Sequence, residues 1–465
     1  MSVTPESEGD AMKYFGTDGF RGRAGEGLTD DHAYRIGRFV GWWFGARLAK
    51  KARVVIGKDT RRSSYMLESA LVTGLVSSGA DAYLLHVIPT PGVCHEVADG
   101  AFDCGVMITA SHNTFTDNGI KLIGADGHKM DDDVIELAEA YLDGDLAALG
   151  ATPDAAGDLP RATGEAIGCT IDYMQGRNRY IAHLISSCGF SLQGMKVGLD
   201  CANGSASSVA RPVFDALGAQ THVINDAPNG LNINVDCGST HIDRLQAFVV
   251  RNGLDAGFAY DGDADRCIAV DERGHVIDGD LILYVCATWM AKNGRLAKNT
   301  VAATVMSNLG FLRALEAAGI SCETTAVGDR HVYECMAEGG LSLGGEQSGH
   351  IIFSALERSG DGIMTSLRVM EAIMGAREKL SELVRPVTLY PQRLVNVEVA
   401  GDVDRDALIA SDPVREAVSQ AEELLAGDGR VLVRPSGTEP LIRVLAEAPT
   451  DKLCEEAARM VADAL

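Results

Sequence analysis

One pattern recurs three times along this chain and constrains its fold more than any other feature. It is an apolar strand, a polar loop, a helix and a glycine stop. Val54-Val55-Ile56 leads through Gly57-Lys58-Asp59-Thr60-Arg61 to a helix over 66–78, which Gly79-Ala80 ends before another apolar strand over 82–87. The strand 196–200, the small-residue loop 201–207 and the helix 209–217 repeat the block, stopped by Gly218-Ala219. The strand 301–305, Ser307-Asn308 and the helix 309–318 repeat it again, stopped by Gly319. Strand, helix and strand at this spacing form a βαβ unit. Three copies predict three similar α/β domains with mixed sheets.

The last part of the chain breaks the pattern after Pro386 and Pro391. Residues 395–399 alternate like a half-exposed strand, 412–425 form a charged helix, 431–433 and 442–446 are strands, and 452–465 a terminal helix. That layout predicts a C-terminal α+β domain with an antiparallel sheet. Residues 144–168, rich in Ala, Gly, Asp and Pro, read as a linker. The expected division is a tail over 1–11 and domains over 12–160, 161–263, 264–380 and 381–465. A chain of 465 residues is too long for one core, in keeping with several domains.

A formal net charge of -24 argues against nucleic-acid binding and against docking on an anionic membrane. It leaves small anionic ligands open, because local basic residues decide those. The 11 cysteines include no Cys-x-x-Cys pair, and Cys267 and Cys286 stand in apolar surroundings. They read as reduced core thiols, with no zinc-ligand spacing. The acidic first eleven residues lack the apolar core of a signal peptide. The longest apolar run, 281–291, is too short to span a bilayer. The expected location is the cytoplasm.

Four loops carry chemistry. The apolar run Val106-Met107-Ile108 ends in Thr109-Ala110-Ser111-His112-Asn113, and Asp117-Asn118-Gly119-Ile120-Lys121 follows. Ser111 thus sits just past the end of a buried strand, where ligands collect in open α/β sheets. Its hydroxyl reads as a nucleophile or phosphoryl acceptor, with a helix-capping polar loop as the bland alternative. In Asp261-Gly262-Asp263-Ala264-Asp265-Arg266 three carboxylates alternate and converge in an extended loop, which calls for a cation. All-oxygen ligation suits Mg²⁺ or Ca²⁺. With Glu272, these aspartates match the first, third, fifth and twelfth positions of an EF-hand loop. Arg266 stands where that loop needs glycine, and strands rather than helices flank it. A solvated acidic loop is the other alternative.

The third loop, Arg434-Pro435-Ser436-Gly437-Thr438-Glu439-Pro440 with Arg443 beyond it, offers backbone N–H groups, two hydroxyls and two forked guanidinium groups. That set suits a phosphate, against a plain Pro/Gly turn. It lacks Walker A spacing. The fourth, Gly344-Gly345-Glu346-Gln347-Ser348-Gly349-His350, suits sugar hydroxyls or an amino group, and a plain turn equally. Gly328-Asp329-Arg330 is a weaker signal of the same kind.

Taken together, these motifs resemble the α-D-phosphohexomutases, over nearly the whole chain from Lys13 onward. The resemblance implies four domains around a central cleft, three alike and one different. It implies a phosphoserine at Ser111, with Asp261, Asp263 and Asp265 binding one Mg²⁺ together with the Ser111 phosphate. His112, Lys121, Arg21 and Arg266 match basic positions of the family's catalytic centre, Lys121 as a general acid/base. Glu346, Gln347, Ser348 and Arg330 would contact the sugar. Arg434, Ser436, Gly437, Thr438 and Arg443 would hold the non-reacting phosphate. Gln347 and Gly328-Asp329-Arg330 resemble the glucosamine branch. The reaction implied is interconversion of glucosamine 6-phosphate and 1-phosphate through a sugar 1,6-bisphosphate, serving peptidoglycan precursor synthesis. Glucose or mannose phosphates are the alternative substrates, and a serine- and Mg²⁺-dependent sugar phosphatase the alternative reaction. The expected partner is a phosphosugar, with no nucleic acid or membrane, and a homodimer is the candidate assembly. Thr114 and Leu122 depart from the family's usual proline and phenylalanine and bear on loop stiffness. The tail lies outside the match, which makes Met12 the more natural start.

Overall fold

The structure, a computed structural model, describes residues 13–16, 19–48, 50–400, 403–435 and 441–465. The tail over 1–11 and the start at Met12 lie outside the described residues. The chain forms two compact units. One comprises the residues up to Thr304 with Glu323–Leu383, the other Val305–Cys322 with Val384–Leu465.

The larger unit is built on three sheets. The first orders its strands Phe15–Gly16, Gly19–Arg23, Asp117–Ile123, Cys104–Ile108, Arg53–Lys58, Asp81–Val87 and Thr170–Asp172. Its middle is parallel, with Arg53–Lys58 between Cys104–Ile108 and Asp81–Val87. Parallel strands are covered on both faces and read as continuous apolar runs. Val54, Val55 and Ile56, and Val106, Met107 and Ile108, are accordingly all buried. The strand Thr170–Asp172 joins the edge of this sheet from beyond residue 160.

The second sheet orders Val276–Ile277, Cys267–Asp271, Ala256–Tyr260, Lys196–Asp200 and Gln220–Ile224. Ala256–Tyr260 and Cys267–Asp271 are antiparallel neighbours, so Asp261–Arg266 is the loop of a hairpin inside one sheet. These flanking strands exclude the EF-hand reading, which needs helices on both sides. The third sheet carries Thr300–Thr304, Gly344–Gly345 and Ile351–Ile352, with Ser321–Thr325 on its edge.

The smaller unit has the antiparallel sheet predicted from the C-terminal pattern, in the order Gln392–Glu398, Leu441–Glu447 and Arg430–Pro435. The helices Asp412–Leu425 and Asp451–Ala462 supply Ala421, Leu425, Ala457 and Val461 to its core, against Val444 and Ala446. The helix Leu309–Ala317 also belongs to this unit.

The three glycine stops share one geometry. Gly79, Gly218 and Gly319 have φ of 91°, 92° and 71°. The next residue's N–H returns to the helix each time, Ala80 to Leu75 O at 3.1 Å, Ala219 to Phe214 O at 3.1 Å and Ile320 to Leu315 O at 2.9 Å. This is a Schellman ending, which favours a residue without a Cβ.

The linker reading of 144–168 is corrected. Leu159 is fully buried, and the fully buried Arg38 donates to its carbonyl oxygen. Tyr141 Oη donates to Asp158 at 2.8 Å. The segment is a strap on the first domain, because a buried guanidinium must find acceptors. Among the described residues no helix is long and apolar enough to cross a membrane.

Candidate active site

The parallel strands Arg53–Lys58 and Cys104–Ile108 end on the same edge of the first sheet, and their loops meet there. Ser111, in the second loop, is 1% exposed and has a left-handed φ of 49°. Its N–H donates to Thr109 Oγ1 at 2.9 Å. Its carbonyl oxygen accepts from Arg61 Nη2 at 2.9 Å and Asn234 Nδ2 at 2.7 Å. Its Oγ donates to Asp261 Oδ2 at 2.7 Å, across 150 residues of chain. Gly262 makes this approach feasible, since a Cβ there would stand 2.6 Å from Ser111 O.

Asp261, Asp263 and Asp265 are all buried, with one ligand oxygen of each within 4.8 Å of the others. Burial, then the charges of Asp265 and Asp263, push the Asp261 carboxyl well above its ordinary range. Burial also opposes the charge of Asp263, but Lys121, Thr90 and Arg21 outweigh it and hold that carboxyl well below the usual range. Lys121 Nζ lies 3.0 Å from Asp263 Oδ2 and 3.5 Å from Asp265 Oδ2. Asp263 Oδ1 and Asp265 Oδ1 are buried with no hydrogen-bond partner. Such oxygens cost several kcal/mol unless a cation or proton meets them. An all-carboxylate set with spare oxygens therefore fits a hard divalent cation. The solvated-loop alternative fails, because all three side chains are buried.

His112 Nδ1 accepts from Arg266 Nη1 at 3.0 Å and lies 3.4 Å from Ser111 Oγ. Burial, then the charges of Arg266 and Arg21, lower its pKa and favour the neutral ring. With its lone pair turned to Arg266, His112 is poorly set to act as base toward Ser111. Arg21 stands opposite Gly119 in the antiparallel pair of Gly19–Arg23 and Asp117–Ile123.

The loop over 344–350 folds against the hairpin that carries 261–266. Cys267 N–H donates to Gly349 O at 3.0 Å, and a Cβ on Gly349 would meet Cys267 O at 2.3 Å. Glu346 Oε1 accepts from Gly328 N–H at 3.2 Å, and Gln347 Nε2 donates to Asp278 Oδ2 at 3.5 Å. Ser348 follows Gln347 on the same turn. Arg330 donates to Asp132 and, at 2.7 Å, to Glu334 Oε1, so its guanidinium is engaged by carboxylates. In the smaller unit Arg434 and Arg443 are register partners on adjacent strands. Burial and the Arg443 charge lower the pKa of Arg434. Like charges set directly opposite repel unless an anion joins them. Ser436, Gly437 and Thr438 lie outside the described residues.

Three residues at the site escaped the sequence reading. Arg61 stands in a polar loop with no motif of its own. Asn234 stands in no motif. His350 closed the Gly-Glu-Gln-Ser-Gly-His run without a role. It is 5% exposed, accepts from Gly360 N–H at Nε2 (3.1 Å), and so turns its Nδ1–H toward Asp265 Oδ2, 3.7 Å away.

Comparison with known proteins covers the whole arrangement. Models of the phosphoglucomutase/phosphomannomutase family match in four pieces. They are the alpha/beta/alpha domains I at 12–146, II at 178–274 and III at 278–390, and the C-terminal domain at 394–464. The phosphoglucosamine mutase of Lachnoclostridium phytofermentans is 55% identical over 96% of both chains. That of Lachnospira eligens is 54% identical over 97% of this chain and 98% of its own. A phosphoglucomutase/phosphomannomutase family protein from Burkholderia thailandensis superposes with a TM-score of 0.79 at 24% identity, covering 97% of this chain and 96% of its own. Aspergillus fumigatus N-acetylphosphoglucosamine mutase, solved with GlcNAc-6P and magnesium, gives 0.64 at 20% identity over 97% and 96%. At those identities the two structures bear on the fold alone.

Proposed function

This chain belongs to the phosphoglucomutase/phosphomannomutase family of phosphohexomutases, and on that premise we propose that it interconverts glucosamine 6-phosphate and glucosamine 1-phosphate. Relatives at 54% and 55% identity, aligned nearly end to end, bear the name phosphoglucosamine mutase. That supports an amino sugar over glucose or mannose phosphate. The observation that carries the chemistry is Ser111 Oγ, buried and 2.7 Å from one of three clustered carboxylates.

Ser111 carries the phosphoryl group. Its Oγ–P bond breaks as an oxygen of the sugar monophosphate forms the new P–O bond. The proton of that sugar hydroxyl passes, by way of a basic side chain that we assign to Lys121, to the departing Ser111 Oγ. The sugar 1,6-bisphosphate turns over, and its other phosphoryl group returns to Ser111 Oγ while the freed sugar oxygen is protonated. Asp261, Asp263 and Asp265 would hold Mg²⁺, which when bound offsets phosphoryl charge and stabilises charge developing in transfer. Arg21, His112 and Arg266 line the same pocket with donors for phosphoryl oxygens. Glu346, Gln347 and Ser348 are assigned the sugar's polar groups. Arg434 and Arg443, with Ser436, Gly437 and Thr438, are assigned the phosphate that does not react. Arg330, already engaged by Asp132 and Glu334, would have to exchange partners to join Glu346, Gln347 and Ser348 at the sugar.

The test is isomerisation of glucosamine 6-phosphate against glucose 6-phosphate with Mg²⁺ and a bisphosphate primer. A kcat/KM at least roughly tenfold higher for the amino sugar is expected, as a site set for its 2-amino group meets a neutral hydroxyl in glucose 6-phosphate. Ser111→Ala should lose activity by at least about 1,000-fold with its melting temperature kept. Sustained release of free phosphate without isomerised sugar would sink the proposal.

A further inference from the structure

The scheme above gives no part to Arg61, the largest cation buried beside the phosphoryl carrier. We propose that Arg61 is the positioning residue that holds Ser111 in the backbone conformation from which Oγ faces the carboxylate cluster. The inference rests on the assignment of Ser111 as phosphoryl carrier.

Arg61 is fully buried, and so is its partner Asp59. A guanidinium has five N–H donors in a rigid fork, and here all five are spent. Nε donates to Asp59 Oδ2 at 2.7 Å. Nη2 donates to Ser111 O at 2.9 Å and Asn113 O at 2.8 Å. Nη1 donates to Asp117 O at 3.1 Å and to Thr114 O. Four of the five acceptors are carbonyl oxygens of the serine loop. With no donor left over, and its charge offset by Asp59, Arg61 is not a phosphate ligand. It determines where the loop's peptide planes point.

Asp59 completes the control of Ser111. Its Oδ2 also accepts from Thr109 Oγ1 at 2.8 Å, and that oxygen accepts the Ser111 N–H at 2.9 Å. Its Oδ1 accepts from Ser64 Oγ at 2.8 Å and Arg61 N–H at 3.0 Å. The Asp59–Arg61 pair thus holds the amide of Ser111 through Thr109 and its carbonyl directly. Asn234 adds a second donor to that carbonyl and reaches Asn113 O at 2.8 Å. A φ of 49° is strained for a residue with a Cβ. It persists only where the surroundings over-determine it, and these contacts do so. Lysine cannot substitute, because one ammonium cannot supply a planar fork to four carbonyls.

The experiment uses the full chain with Mg²⁺. Arg61→Lys should keep its melting temperature within a few degrees and lose kcat by about 100-fold, the scale of a small misplacement of the reacting atom. KM for glucosamine 6-phosphate should stay within about twofold, since the binding loops are elsewhere. Arg61→Ala should regain part of its kcat on addition of guanidinium ion, and not of ammonium. Amide hydrogen exchange over 111–117 should quicken in Arg61→Lys. If that variant does not fold, Asn234→Ala removes the second donor to the same carbonyl, together with its bond to Asn113 O, and about a tenfold loss in kcat at unchanged KM is expected. Wild-type kcat in the folded variant, or a raised KM at constant kcat, would overturn the inference. A wild-type enzyme inactive on every hexose phosphate would instead overturn the functional assignment. Loop exchange would still test Arg61, and unchanged protection in Arg61→Lys would end the inference whatever the activity.

Discussion

His95 and His183 stack with ring centroids 4.3 Å apart, yet their surroundings drive their protons in opposite directions. Glu357 Oε1, 2.8 Å from His183 Nε2, raises His183. Burial, then the His183 charge, pushes His95 down to about 4. The unfolded chain therefore binds a proton at His95 below about pH 6.5 that the folded chain refuses until about pH 4. Stability contributed by His95 is lost as pH falls through that window. His183 works the other way, its stabilisation being full below about 6.5 and lost as pH rises through its raised folded value. His95→Gln should remove the first effect. Between pH 6.5 and 4 the wild type should lose more stability than the variant by about 1–2 kcal/mol, a figure discounted for partial exposure. Urea midpoints at several pH values check this, and parallel curves would refute it. At this scale Ser111 and the three aspartates, whose chemistry stands in a run, are legible as candidates, and the structure brings those four together. Arg61 and Asn234 act on Ser111 from 50 and 123 residues away. A lone arginine or asparagine in a polar loop carries no mark of such a partner.

The strand–helix–glycine block was legible as an element because its signals are local. Apolar runs, helix stops and left-handed glycines are all decided within a dozen residues. The strap over 144–168 was not, because Ala, Gly, Asp and Pro report turns but not the buried Arg38 that needs Leu159's carbonyl. The glycine stops offer a clean test of the local part. A Cβ on Gly79 would stand 3.1 Å from Ala166 O, and one on Gly218 would touch Gln193 at 3.5 Å, whereas Gly319 has nothing within 4 Å. Gly319→Ala therefore measures backbone strain without a clash. It should cost about 1 kcal/mol. Gly319→Asn should cost less, since asparagine tolerates the left-handed region. Equal stability of the glycine and alanine proteins in chemical denaturation would contradict the Schellman assignment.

The division of the whole molecule was legible in outline. The repeat assigns the helix Leu309–Ala317 to the third domain, as the partner of the strand Thr300–Thr304, and the family's domain III, matched over 278–390, includes both. What no local signal shows is that this helix packs with the C-terminal sheet, so the chain passes between the two compact units at Thr304, Cys322 and Leu383. Long-range polar contacts decide this. Glu447 is fully buried at the end of the central strand Leu441–Glu447. It accepts from Leu309 N–H at 3.1 Å, Gln392 Nε2 at 2.8 Å and Arg430. Asn308 and Tyr390 exchange two hydrogen bonds of 2.9 Å. A carboxylate at the N-terminus of a helix is favoured by the dipole, and here it also neutralises Arg430. Glu447→Ala would leave that guanidinium without its counter-charge and the Leu309 N–H without its acceptor. The loss should be on the order of 3 kcal/mol, and it should fall on the smaller unit alone. Calorimetry should then show a separate, earlier transition for that unit. Glu447→Gln, which keeps an acceptor but not the charge, should melt in between. One unshifted transition in the alanine variant would show that helix Leu309–Ala317 is held by its strand neighbours and not by Glu447.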